Sequence, residues 1–293
     1  VSKMKPALSF LSIAAIAAAL ILLSCQAGTQ PSAQPPPQEQ QTQSAYLGFD
    51  LNIFPGQAAL PILRKTFAFG GYWLSPPPGE KTNTWVGQRV AVRSEGFGFL
   101  LLYRGPLDRE LKNEAAAAQK GTSEARVAAA AAKREGFPAH AVIFLDMEEG
   151  GRLSASYHAY LHAWASGLAA AGYRAGAYCS AMPVKEEPGV TITTADDIRA
   201  HAPSQDFVFF VYNDACPPSP GCTFPKNPPS PADGGIPYAA VWQYAQSPRR
   251  KEFTAHCAPG YNSDGNCYAP GDKTHSWFLD VNSATSADPS NGR

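Results

Sequence analysis

From Tyr46 onward, short apolar runs alternate with helix-like runs, and this alternation limits the fold more than any other feature of the chain. Strand-like runs occupy residues 46–50, 66–73, 97–103, 141–147, 174–179, 207–212, 239–243 and 277–281. Helix-like runs occupy 57–65, 86–94, 123–135, 154–171 and 194–201, with Ser154 as an N-cap and Asp196 and Asp197 in a first turn. Several strand runs, such as Phe207-Val-Phe-Phe-Val-Tyr212, are apolar throughout, as expected of parallel strands covered on both faces. Eight strand-like runs in about 240 residues predict an α/β fold, a single-domain (β/α)8 TIM-type barrel. A doubly wound open sheet is the alternative, because counting strands does not prove closure. No glycine-rich phosphate fingerprint follows the first strand, which argues against a dinucleotide fold.

The fourth run ends in Asp146-Met-Glu148-Glu149-Gly150. Residues i and i+2 of a strand share a face, so Asp146 and Glu148 project side by side where the strand exits. Close carboxyls push their proton affinities apart, which is the equipment for acid-assisted cleavage of a glycosidic bond. In a parallel barrel the strand ends form one mouth. Asp50 ends strand one, Trp242-Gln243-Tyr244 ends strand seven, and Asp280 and Asn282 end strand eight. Four acids from three distant stretches are therefore expected at one place. Local capping explains each acid singly and all four together poorly.

The flanks set the compartment. Lys3 and Lys5 precede an apolar, Ala-rich stretch from Leu8 to Leu23 that ends in Leu22-Leu23-Ser24-Cys25. This reads as a lipoprotein signal peptide over 1–24, with lipid on Cys25. Residues 25–45, rich in Pro and Gln, read as a disordered tether, and 284–293 as a disordered tail, leaving the barrel at 46–283. Lys+Arg and Asp+Glu both total 24, so nothing favours a nucleic-acid partner. In an exported chain, Cys216 with Cys222 and Cys257 with Cys267 are the local disulfide pairs, each stapling one long loop, 213–237 or 245–276. Cys179 is left as a buried thiol. No cofactor and no metal are expected. His158-Ala-Tyr-Leu-His162 has a zinc-pair spacing but lacks the Glu of H-E-x-x-H, and is read as two helix histidines.

Phe49-Asp50, Asp146-x-Glu148, Gly172-Tyr-Arg-Ala-Gly-Ala-Tyr178, Val241-Trp-Gln-Tyr244 and Leu279-Asp280-Val-Asn282 occur in that order. The set resembles glycoside hydrolase family 25, the muramidases. It is closer to their relatives, the glycoside-hydrolase-like domains of exported bacterial proteins, which Phe69-Gly-Gly-Tyr72 and Gly96-Phe-Gly-Phe-Leu-Leu-Leu-Tyr103 also resemble. The resemblance implies that Glu148 is the general acid/base and that Asp146 stabilises charge on the reacting sugar. It implies that Asp50 and Asp280 bind substrate or tune Glu148. Trp242, Tyr178 and Tyr72 would form a sugar-stacking wall, with Gln243 and Tyr244 beside it. Where muramidases carry a Lys-Ala-Thr-Glu-Gly-like segment, this chain has Tyr72-Trp73-Leu74. The expectation is a monomeric, lipid-anchored envelope protein that cleaves peptidoglycan or a related polysaccharide. A glycan-binding barrel without turnover is the second reading, and an envelope scaffold the third.

Overall fold

The computed structural model describes residues 45–202, 204–215 and 217–293. The signal segment 1–24, Cys25, nearly all of the tether and Cys216 lie outside the described residues. Among the described residues, no helix is long and apolar enough to cross a membrane.

The strands are β1 (Tyr46–Asp50), β2 (Phe69–Trp73), β3 (Gly98–Arg104), β4 (Val142–Asp146), β5 (Arg174–Ser180), β6 (Val184–Glu187), β7 (Val190–Ile192), β8 (Val208–Tyr212), β9 (Ala239–Ala245) and β10 (Asp280–Ala284). Eight of them close a barrel in the order β1-β10-β9-β8-β5-β4-β3-β2, which excludes the open sheet. The short pair β6–β7 is a separate hairpin. The helices are α1 (Leu60–Leu63), α2 (Arg89–Ser94), α3 (Glu114–Glu135), α4 (Ala155–Ala170), α5 (Thr194–His201) and α6 (Lys251–Thr254). Ser154 caps α4 as expected, its hydroxyl accepting from the Tyr157 amide. α3 starts nine residues before the sequence-based boundary, at the Asn113 cap. Gly121 lies inside it, where a Cβ would come within 2.4 Å of the Tyr160 carbonyl oxygen. That glycine allows α3 and α4 to approach closely; it does not break the helix.

Two expectations are corrected. The last strand is antiparallel to both neighbours, pairing Asp50 with Asp280 and Asn282 with Gln243. Between β9 and β10 the regular structure is only the four-residue α6. The connection therefore returns the chain at the mouth it left, as an antiparallel link permits, without a crossover to the far end. Asp280 begins its strand instead of ending it, yet still stands at the mouth. Second, residues 284–293 are not a loose tail. Ala284 closes β10, and the segment after it bonds along the starts of β3 and β4. The Ser290 hydroxyl accepts from the Leu101 amide, the Ser290 amide donates to Phe99, and Asp288 accepts from the Phe99 amide.

The barrel interior is filled by aromatics lying over glycines. A Cβ on Gly48 would fall 2.1 Å from the Phe69 ring, and one on Gly176 would fall 2.4 Å from the Phe144 ring. The barrel is a packed core with a hollow at its mouth.

Candidate active site

The mouth is a hollow of about 150 Å³. Asp50, Asp146, Glu148 and Asp280 all line it, together with Tyr178 and Gln243. β1, the exit of β4 and the start of β10 each contribute acids, so residues more than 200 positions apart in sequence meet here.

Asp50 and Asp280 are held by amides. Gln243 Nε2 donates to Asp50 Oδ2 at 3.1 Å and to Asp280 Oδ2 at 3.3 Å. Its Oε1 accepts from the Tyr178 hydroxyl (2.6 Å) and from Gln246 Nε2 (2.8 Å). These acceptor contacts fix which way the Gln243 amide points. Asn282 Nδ2 adds a 2.7 Å bond to Asp50 Oδ2, and the Ser247 amide a 2.6 Å bond to Asp280 Oδ1. Gly71 makes room for Asp50: a Cβ there would sit 2.4 Å from the Asp50 Cβ. By contrast, among the described residues no hydrogen bond reaches the Asp146 or Glu148 carboxyl. The neighbouring Glu149 is not part of this arrangement; its Oε1 accepts from the Asp108 amide at 2.7 Å and ties down the loop.

All four acids have raised pKa values. Burial lifts Asp50 to about 6 against the pull of Asn282 and Gln243. Burial, then repulsion from Glu148 and Asp50, lifts Asp146 well above the usual carboxylate range. Burial and the adjacent Asp50 do the same for Asp280. Glu148, exposed at the rim, is raised by the desolvating walls of the mouth and pulled back by Arg250. Arg250 is itself ion-paired with the wholly buried Asp214. The mouth thus shifts all four carboxyls toward their protonated form, the direction a general acid requires.

Three expected substrate-binding residues do not reach the hollow. Tyr72 is fully buried on the outer side of β2, its hydroxyl 2.6 Å from Glu135 of α3 and its ring against Trp85 and Phe137. Trp242 and Tyr244 point outward from β9; Trp242 Nε1 donates to the Asn213 carbonyl and the Tyr244 hydroxyl to the Thr223 carbonyl. Alternation explains this, because Gln243 lies between them and points inward. On β2 the inward residue is Trp73, which lines the hollow and whose indole N–H has no partner among the described residues. It was missed because Phe69-Gly-Gly-Tyr-Trp73 is buried on both faces and shows no polar alternation.

The local disulfide pairs are also corrected. Cys222 bonds Cys267 across 45 residues, with Cα atoms 5.4 Å apart, and Cys257 is likewise disulfide-bonded. The loops after β8 and β9 pack on each other, the Cys222 amide donating to the Pro259 carbonyl at 3.0 Å. The bridge therefore joins the two loops instead of stapling each one. Cys179 is a buried free thiol.

The site is the mouth of a closed barrel at which buried acids from three distant stretches of the chain are gathered. Residues 76–215 match the family described as the Rv2525c-like, glycoside hydrolase-like domain, in line with the resemblance read from the motifs. No curated protein matches the chain. Among solved structures, an uncharacterized Bacillus stearothermophilus protein is similar at 20% identity and a TM-score of 0.50, over 82% of this chain and 95% of that one. The Tat-secreted protein Rv2525c of Mycobacterium tuberculosis aligns at 15% identity and 0.49, over 83% and 96%. GHIP, a glycosyl hydrolase 25 of Streptococcus pneumoniae, aligns at 12% and 0.47, over 81% and 86%.

Proposed function

We propose that this protein is a cell-envelope glycoside hydrolase that cleaves peptidoglycan or a related polysaccharide by acid/base catalysis. The observation that carries the reading is the convergence of Asp50, Asp146, Glu148 and Asp280 on one hollow with their proton affinities raised. Glu148, exposed at the rim and with its proton affinity raised, protonates the leaving glycosidic oxygen. Asp146, buried beside it with its proton affinity raised, hydrogen-bonds a polar substituent of the sugar, and the Glu148 carboxylate left behind takes a proton from the water that replaces the leaving group at the sugar carbon. Asp50 and Asp280, bridged by Gln243, keep the floor rigid. Tyr178 and Trp73 supply apolar wall, and the exposed Phe278 and Ile53 beside the mouth extend it along a chain-like substrate. The Cys222–Cys267 bridge fits an oxidising compartment outside the cytosol. We place the protein there on a lipid carried by Cys25.

The test is reducing-end release from purified peptidoglycan by the full chain, with Glu148→Gln as control. Loss of at least about 10²-fold in rate with an unchanged melting temperature is expected, since general acid/base catalysis contributes that much or more. A second reading, glycan binding without turnover, is favoured by one observation: Asp50 and Asp280 already have internal amide partners. Wild-type protein that sediments with peptidoglycan yet releases no reducing ends from it would select that reading.

A further inference from the structure

His158, in the first turn of α4, meets Asp197 and His201 of α5 away from the acidic hollow. One donor atom from each lies within 4.8 Å of the others. Asp197 is completely buried, His158 Nε2 is 3.0 Å from its Oδ2, and His201 Nδ1 is 3.2 Å from its Oδ1. His158 Nε2 is a buried nitrogen without a well-aligned hydrogen bond. We propose that these three side chains form a site for a divalent transition metal of the zinc class.

Two imidazoles and one carboxylate are the donor set such ions prefer, whereas calcium and magnesium take oxygen ligands. A tetrahedral ion bound at about 2.0–2.1 Å spaces its donors about 3.3 Å apart; the imidazole–carboxylate distances here are 3.0 and 3.2 Å, each to a different oxygen of Asp197, so a small turn of the carboxylate or its use of both oxygens brings the set onto one ion. The imidazole rings now stack at 4.0 Å, so one must turn for both nitrogens to face a single ion. His201 is the one to turn: 45% of its side chain is exposed, and its Nδ1 would exchange the Asp197 carbonyl that it now meets at 2.9 Å for the ion. Arg152 Nη1 stands 3.4 Å from Asp197 Oδ1 and competes with a cation. Its firmer partner is Glu186, at 2.8 and 2.9 Å, so it can yield. The Leu153 amide donates to Asp197 Oδ2, the oxygen that faces His158, at 2.9 Å and fixes the carboxylate in place. Leu153 and Arg152 end the loop that begins at Glu148, so an ion here would also pin that loop. The sequence pairing of His158 with His162 is not the relevant one, because His162 faces Gln205.

The experiment uses the full chain, tag-free and stripped by chelator, titrated with Zn²⁺ and separately with Co²⁺ as a spectroscopic reporter. One ion per chain, a raised melting temperature and visible Co²⁺ bands of tetrahedral intensity are expected. His158→Ala and His201→Gln should each weaken binding by at least about 100-fold, beyond the loss typical of an outer-shell partner, while His162→Ala leaves it unchanged. Arg152→Ala, which removes the competing cation, should tighten binding. Absence of stoichiometric Zn²⁺ binding, or binding that survives both His158→Ala and His201→Gln, overturns the proposal. Calcium and magnesium should produce no shift, and an equal shift with them would also overturn it.

Discussion

Gly71→Ala tests whether the hollow is built to hold Asp50 in one position. The added methyl would lie 2.4 Å from the Asp50 Cβ, 3.1 Å from its Cα and 3.3 Å from Leu102 Cδ1. Carbon atoms rest at about 3.5–4.0 Å, so either Asp50 or β2 must move by roughly 1 Å. Two of the atoms in the way belong to β1, and neither can swing aside as a long side chain would. Overpacking of this kind costs about 1–3 kcal/mol, and for a domain of this size each kcal/mol lowers the melting temperature by about 2–4 °C. The displacement also stretches the 2.7 Å Asn282 bond and the 3.1 Å Gln243 bond to Asp50. Misplacement by 1 Å near reacting groups can cost about 10²-fold in rate. Calorimetry and the reducing-end assay should therefore both respond. If Gly71→Ala melts within 1 °C of wild type and retains full activity, the account of Gly71 as the space-maker for Asp50 is wrong.

Asp50→Asn keeps an oxygen acceptor for Asn282 and Gln243 while removing the charge. A carboxyl whose folded pKa is raised to about 6 binds its proton more tightly in the folded state, so its contribution is full at low pH and is lost as pH rises from about 4 to 6. Asp50→Asn should accordingly flatten the decline of stability over that window and gain up to about 3 kcal/mol at pH 7; urea melts at pH 4 and 7 that show no difference in slope would refute it. Non-reducing peptide mapping should recover a Cys222–Cys267 peptide, and Cys222→Ser should cost about 2–5 kcal/mol. Cys25→Ser should release the protein from the membrane fraction and abolish incorporation of a labelled fatty acid; unchanged labelling would remove the lipid-anchor proposal.

The Asp146-x-Glu148 pair was legible because strand alternation puts i and i+2 together whatever the rest of the chain does. Asp50, Gln243 and Asp280 were placed at the mouth by the barrel expectation. What failed was the choice of face on strands buried on both sides. In Phe69–Trp73 and Ala239–Ala245 nearly every position is buried, so hydropathy cannot tell inward from outward. Tyr72, Trp242 and Tyr244 were assigned to the wrong face for that reason. The direction of β10 left no trace in the pattern, because residues 213–237, which join two parallel strands, lack a helix-like run just as residues 245–276 do. The Cys222–Cys267 bridge depends on two loops meeting in space, and spacing along the chain carries no information about that.

The partners of the mouth acids argue for a role beyond stability. If four carboxyls had been gathered to strengthen the fold, cations or helix N-termini facing them would hold them charged and their pKa values low. Here the buried pair Asp50 and Asp280 is met by Gln243, Asn282 and a backbone amide, all neutral donors. The cations that act on the site, Arg104 and Arg250, restrain Asp146 and Glu148 without cancelling the upward shift. Antiparallel closure sharpens the effect, since β10 enters at the mouth and sets Asp280 directly opposite Asp50. Such a cluster costs stability as the pH rises, and costs of that kind cluster at functional sites, which is why the mouth is the place to test for activity.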